Sequence, residues 1–229
     1  MTVRVVLATH NQHKVDEFQK ILQARLPELE IVKYDGPEPI EDGVTFAENA
    51  LIKARAAAEF TGLPAMADDS GLCVDVLNGA PGMFSARWAG HGKGDVANRE
   101  LLLDQLADMH EEHRGAAFAC HIALVVPAST ALVVPASTTL SAEGTAPDAR
   151  SDRSTRSAPF EEVATGLWRG TLARESRGAF GFGYDPIFVP DGFSVTAAEL
   201  LPDEKNAVSH RALAFEALIP LLRMSVIPI

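Results

Sequence analysis

Glu41, Asp68 and Asp69 are the side chains in this sequence that most need an explanation. Two adjacent carboxylates repel each other and gain nothing from a core, so hydrogen bonds, a cation or water must surround them. In "MADDSGLCVDV" they follow a short apolar step, where a strand is expected to run out into a turn. One reading is a solvated turn with aspartate capping. The other is a site for a hard cation, since Mg²⁺ takes one or two carboxylates, keeps waters and bridges to phosphates. A carboxylate beside such a metal can also accept a proton from an attacking water. Lys53, four residues after Asn49 on one helical face, could answer these carboxylates, answer a phosphate, or lie in solvent.

Three other stretches suit an anionic ligand. Thr9, Asn11 and Lys14 lie where a strand ends in a polar turn that opens a helix, and the positive end of a helix dipole suits phosphate. Taken alone, a capped helix with a surface lysine explains them more simply, and the stretch is neither a Walker A motif nor GxGxxG. "FGFGYDPIF", 180 to 188, mixes aromatics with glycines, so it can lay a ring on a base or be a plain aromatic turn. "EKNAVSHR" sets Lys205, Ser209, His210 and Arg211 at the start of a helix, a good place to recognise an anion or a carbonyl. Taken together, these loops point to a Mg²⁺-dependent enzyme acting on a nucleotide.

The elements that must hold these residues alternate between strand and helix in the first half. "VRVVLA", 3 to 8, is a buried strand, and Val15, Phe18, Ile21, Leu22 and Leu26 predict a helix from about Asn11 towards Pro27. "EIVKY", 30 to 34, is a second strand. Thr45 and Glu48 form a T-x-x-E capping box for a helix that stops at Gly62. "LPAMA" and "LCVDV" are short strands either side of Asp68–Gly71, and Asp95 opens a helix through about His110. Strands then dominate: 116 to 126, stretches within 160 to 173, and 186 to 189. A final helix runs from about Asn206 to Arg223 with a kink at Pro220. The pattern predicts a mixed α/β fold rather than a bundle or a sandwich.

With 229 residues, 47% of them hydrophobic, the chain can bury one sizeable core, or one shared by two lobes. A net charge of −11 argues against nucleic acid or an anionic membrane as the main partner, though not against a small polyanion met by a metal and local cations. Cys73 and Cys120 have no CxxC or Cys/His spacing and read as buried hydrophobes of a reducing compartment. The N-terminal apolar run is too short for a signal peptide, and the apolar stretch 116 to 138 carries His121, Pro127 and Pro135, so a cytoplasmic protein is expected. "ALVVPAST" occurs twice in tandem, at 123–130 and 131–138, and leads into a Ser/Ala/Pro/Asp/Arg-rich tract. That composition reads as a surface insertion at about 127 to 158 within a single domain spanning 1–229.

Four stretches also resemble a known family: "LATHNQHKVDEF" (7–18), residues 41–90 from "EDGVTFAENA" to "SARWAG", "GFGYDPIF" (181–188) and "EKNAVSHRALA" (204–214). They are similar to the inosine/xanthosine triphosphate pyrophosphatases, the non-canonical purine house-cleaning enzymes. The resemblance implies hydrolysis of ITP, dITP or XTP between the α and β phosphates, giving monophosphate and pyrophosphate. It implies Mg²⁺, a homodimer, and an elongated mixed sheet flanked by helices in two lobes around a central cleft, an architecture shared with the Maf-type pyrophosphatases. By motif position, the loop Thr9, His10, Asn11, Gln12, His13 and Lys14, with Lys53, would hold the triphosphate. Asp69 would be the general base beside Asp68 and Lys53, and Glu41 with Asp69 would hold the metal. Ser70 would touch the substrate, Phe182, Gly183, Tyr184 and Asp185 would stack on and contact the base, and Lys205, His210 and Arg211 would complete its recognition. His10 departs from the small residue usual there, so it should lean outward or crowd the loop. Two rivals remain: a Maf-type enzyme for other bases, and a nucleotide sensor that has lost hydrolysis.

Overall fold

The computed structural model describes residues 2–10, 12–23, 25–128 and 158–227, with only the backbone for His13, Lys14, Asp16 and Glu17. Six strands form one sheet in the order β2-β1-β3-β4-β5-β6. They are β1 (Val3–Leu7), β2 (Leu29–Lys33), β3 (Ala65–Val74), β4 (Gly115–Val126), β5 (Phe160–Leu172) and β6 (Phe188–Pro190). β1 runs parallel to β2 and β3, while β3, β4, β5 and β6 are successively antiparallel. The mixed α/β expectation therefore holds.

Helices cover both faces: α1 (Gln12–Gln23), α2 (Phe46–Thr61), α3 (Gly94–Gln105), α4 (Pro202–Val208) and α5 (His210–Ser225). On one face Phe18 and Leu22 of α1 and Phe215 and Leu218 of α5 pack over Leu7, Met66 and Ile122. On the other, Ala50, Ala54, Ala57 and Ala58 let α2 lie close on Val6, Ala65, Ala67 and Ala123. Leu72, Val74, Leu102, Phe118, Trp168 and Phe188 build a further cluster with α3. The capping box at Thr45 and Glu48 and the left-handed Gly62 at the end of α2 are both present.

Two expectations are corrected. Asp68–Gly71 is not a turn between two short strands but the middle of one ten-residue strand, paired along its length with β4. β1 pairs only with Ala65 and Met66 of β3, so the ladder on that side stops just before the carboxylates. The final helix is also two helices rather than one kinked at Pro220. Ser209 is extended between them and caps α5 through Ala212 N–H, while Pro220 lies inside α5. The tandem repeat from Ser129 onwards and the polar tract to Ser157 lie outside the described residues.

Candidate active site

The strand conformation sends Asp68 and Asp69 to opposite faces of the sheet, because side chains alternate along β3. Asp69 shares its face with Ala65 and Ala67 and looks towards α2, where Lys53 Nζ stands 3.7 Å from Asp69 Oδ1 and 3.2 Å from Glu41 Oε2. Glu41 reaches this point because the loop before α2 is pinned, with Gly43 N–H donating to Asn49 Oδ1 at 2.9 Å. Burial raises the Asp69 carboxyl pKa; Lys53 lowers it, Glu41 raises it, Asn49 lowers it by hydrogen bonding, and Asp68 raises it. His121 stands opposite Asp69 on β4 and stacks on Phe46, and burial lowers its pKa.

Asp68 faces α5, with Arg211 Nε 4.0 Å from Asp68 Oδ2, while Arg211 Nη2 donates to Ser70 Oγ at 3.4 Å. Two cavities open along this strand. One, of about 220 Å³, is bounded by Thr9, His10, Tyr34, Glu41, Lys53 and Asp68. The His10 Nε2 lies 3.0 Å from Gly36 O, its Nδ1 3.0 Å from Glu38 Oε1, and its ring stacks on Tyr34. His10 thus stays on the wall of this cavity, held against the 34–38 segment. Gln12 begins α1, whereas Asn11 and the side chains of His13 and Lys14 lie outside the described residues.

The second cavity, of about 250 Å³, has walls that include Ser70, Phe118, Phe182, Tyr184, His210 and Arg211. Gly71 is needed beside it for space rather than for a turn, since a Cβ there would collide with the Gly82 carbonyl oxygen. Lys205 Nζ and Arg211 Cζ lie 5.1 and 5.5 Å from the Phe182 ring centroid, and Lys205 donates to Asp185 Oδ2. Tyr184 donates its hydroxyl to Ser85 O at 2.9 Å, and burial raises its pKa. His210 stacks on Phe118 at 4.9 Å, and burial, then Arg211 and Lys205, drive its pKa well below the ordinary value. Among the described residues, His210 Nδ1 and Arg211 Nε are buried without a hydrogen-bond partner. Both residues border the second cavity, where a polar group could reach them.

The sequence model of the Ham1 family matches residues 5–146 and 152–221. The chain belongs to this family. It is 55% identical over 221 residues to the dITP/XTP pyrophosphatase of Leifsonia xyli subsp. xyli, spanning 96% of each chain. It is 50% identical over 225 residues to that of Streptomyces coelicolor, spanning 96% of this chain and 97% of the other. A solved HAM1 protein from Coxiella burnetii superposes with a TM-score of 0.76 at 39% identity, covering 97% of this chain and all of the other. The nucleoside-triphosphatase/dITP/XTP pyrophosphatase of Mycobacterium abscessus gives 0.69 at 42% identity, covering 95% and 99%.

The fold thus brings Thr9, His10, Glu41, Lys53 and Asp68 around one cavity, with Asp69 joined to it through Lys53. It gathers Ser70, Phe182, Gly183, Tyr184, Asp185, Lys205, His210 and Arg211 around the other. Sequence reasoning missed Ser85, Phe118 and Asp95 in the second cavity. Ser85 and Phe118 carry no local signal, and Asp95 reads only as the acidic first turn of a helix.

Among the described residues no cluster of three or more His, Cys, Asp or Glu side chains gathers as a metal site. Glu41 and Asp69 both pair with the Lys53 ammonium, and their oxygens are of the kind a hard cation takes. No described helix is long and apolar enough to cross a membrane.

Proposed function

We propose that this protein is a nucleoside triphosphate pyrophosphatase for non-canonical purines, hydrolysing ITP, dITP and XTP to the monophosphate and pyrophosphate. The observation that carries the reading is the pair of cavities on one strand: a charged one at Asp68, Glu41 and Lys53, and an aromatic, cationic one at Phe182, His210 and Arg211. A triphosphate suits the first and a purine the second. The names of the relatives support the same chemistry.

In this reading the start of α1 and Lys53 hold the phosphates. Asp69 takes a proton from water as the water oxygen bonds to the α-phosphorus and the anhydride oxygen leaves with pyrophosphate. Asp69 suits this role better than Asp68, because its side chain keeps 20% exposure whereas Asp68 keeps 4% and faces Arg211. Its raised pKa also makes it a better proton acceptor once ionised. Glu41 and Asp69 would hold Mg²⁺, which when bound supplies neutralising charge for the triphosphate. Phe182 stacks on the base. The guanidinium of Arg211 offers donors only, so it pairs with the C6 oxygen of hypoxanthine or xanthine and not with the amino group of adenine. His210, held neutral, keeps one ring nitrogen as an acceptor.

A homodimer, a single domain with a surface insertion at about 127 to 158, and a cytoplasmic setting complete the proposal. The deciding experiment is pyrophosphate release from ITP, XTP, dITP, ATP and GTP, with Mg²⁺ and with a chelator. Release from the first three, lost on chelation, is expected; equal release from ATP would overturn the base assignment.

A further inference from the structure

The loop carrying Phe182 is fastened from α3, whose Asp95 also borders the second cavity. Gly183 donates its N–H to Asp95 Oδ2 at 2.8 Å, and its carbonyl accepts from Arg99 Nη1 at 2.8 Å. Asp95 and Arg99 stand four residues apart on α3, so they lie on one helical face and grip both polar groups of one residue. Arg99 Nε also donates to Ser176 Oγ at 2.9 Å, which ties down the segment leading into the loop. α3 is itself anchored, since buried Asn98 accepts from Ala89 N–H at 2.7 Å and donates to Ala86 O at 3.1 Å.

On the other side of the ring, Phe182 N–H donates to Asp185 Oδ2 at 2.9 Å, and Gly181 presses so close to that carboxylate that no Cβ would fit. Phe182 is 60% exposed, and the long side chains of Lys205 and Arg211 flank its ring. With so little packing around it, the backbone on either side sets where the ring stands. Glycines at 178, 181 and 183, all at positive φ, would leave that backbone free if nothing gripped it.

We propose that Asp95 and Arg99 are positioning residues for base selection: by holding Gly183 they set the Phe182 ring before the nucleotide arrives. This rests on the second cavity being the base site. A preset ring spares the ligand the cost of ordering the loop, so the clamp acts on binding and base choice. The reacting phosphates lie at the other cavity, so turnover at saturation stays nearly constant.

Amide exchange at Gly183 in the nucleotide-free protein reads the clamp without any substrate. Asp95→Ala is expected to speed it about tenfold or more, because a hydrogen bond to a charged acceptor is lost. The same variant should raise KM for ITP about five- to tenfold with kcat within about twofold, and lower the ITP-over-ATP ratio of kcat/KM. Asp95→Asn keeps an oxygen acceptor and should restore most of each. Arg99 does not line the cavity, so the same pattern in Arg99→Ala assigns the effect to positioning rather than to ligand contact. Unchanged exchange in both variants overturns the clamp. Faster exchange with unchanged KM and base ratio, or an equal loss of kcat on ITP and ATP, overturns its role in selection. Failure of the wild type to release pyrophosphate from ITP would overturn the pyrophosphatase reading and base selection with it, while the exchange result would still decide the clamp.

Discussion

The two cavities are built by different physics. The described part of the charged one draws on side chains from Ala8 to Asp68, short segments brought together by β1, β3 and α2, and ion pairs organise it. The aromatic one draws on residues from Ser70 to Arg211, and packing against Phe118 and Trp168 organises it with buried hydrogen bonds. β3 serves both: Asp68 lines the charged cavity, Ser70 lines the aromatic one, and Asp69 between them is turned to α2 beside Lys53. Charge chemistry can be assembled from near neighbours, whereas a shaped slot for a base needs the whole sheet. Damage to the first should show in turnover and damage to the second in base choice.

The largest effect should come from Asp69→Asn. The change is nearly isosteric but removes a proton acceptor, a contribution commonly worth about 10²–10⁴-fold. kcat should fall by that order while the ITP-over-ATP ratio holds, and pyrophosphate-release kinetics would show it. In the wild type, kcat should be lost as pH falls towards the Asp69 pKa, which burial raises from the ordinary aspartate value. Ionising this group in the fold costs stability, so Asp69→Asn should melt no lower than the wild type at neutral pH. A folded Asp69→Asn protein with normal turnover would remove the general-base role.

That contrast also explains what the sequence could reveal. Glu41, Lys53 and the Asp pair stand out because charges near each other demand partners, and the capping box at Thr45 and Glu48 gives their helix a definite start. Their strand was harder to see. Asp-Asp-Ser-Gly has the composition of a turn, and only pairing with the distant residues 119–122 of β4 makes it a strand. Ser209 likewise reads as part of a continuous helix until its capping of α5 is seen. Phe182 and Arg211 are visible as residue types, but Asp95 and Arg99 meet Gly183 across 88 and 84 residues, beyond the reach of any spacing rule.

Arg211→Ala tests the aromatic side. It should lower the ITP-over-ATP ratio of kcat/KM by about 5- to 150-fold, the range for one mismatched polar group at 1–3 kcal/mol. Saturating turnover on ITP should fall much less than in Asp69→Asn. An unchanged base ratio would leave the enzyme standing but remove Arg211 as the reader of the C6 oxygen.

Acid sensitivity should separate the two sides more gently. His121 lies opposite Asp69 and His210 lines the aromatic cavity, and burial holds both pKa values below the ordinary 6.5. A histidine kept neutral in the fold stabilises it above the unfolded pKa, and that stability is lost as pH falls below it. Tm should therefore drop between pH 7.5 and 5.5, by about 2–4 °C for each kcal/mol lost. For His210 the nearby Arg211 and Lys205 add to burial, whereas for His121 the Asp69 charge opposes it. His210→Gln should flatten the Tm profile more than His121→Gln, and the reverse order would contradict the burial assigned to the base side.

The smallest effect is expected from residues 129–157, whose composition carries no candidate site residue. β4 and β5 pair from Gly115 and Thr171 to Val126 and Phe160, so their ladder is complete before residue 129. None of the candidate site residues read from the sequence falls between 129 and 157, and closure entropy changes only slowly with the length of a connecting segment. Replacing 129–157 with a short Gly/Ser linker should keep kcat/KM for ITP within about threefold, since halving a loop changes closure by only about 0.6 kcal/mol. The ITP-over-ATP ratio should also be unchanged. A loss confined to turnover would bring the segment to the charged side, and a loss confined to the base ratio would bring it to the aromatic side. A change from dimer to monomer would instead make it part of an interface, which sedimentation of the linker variant would reveal.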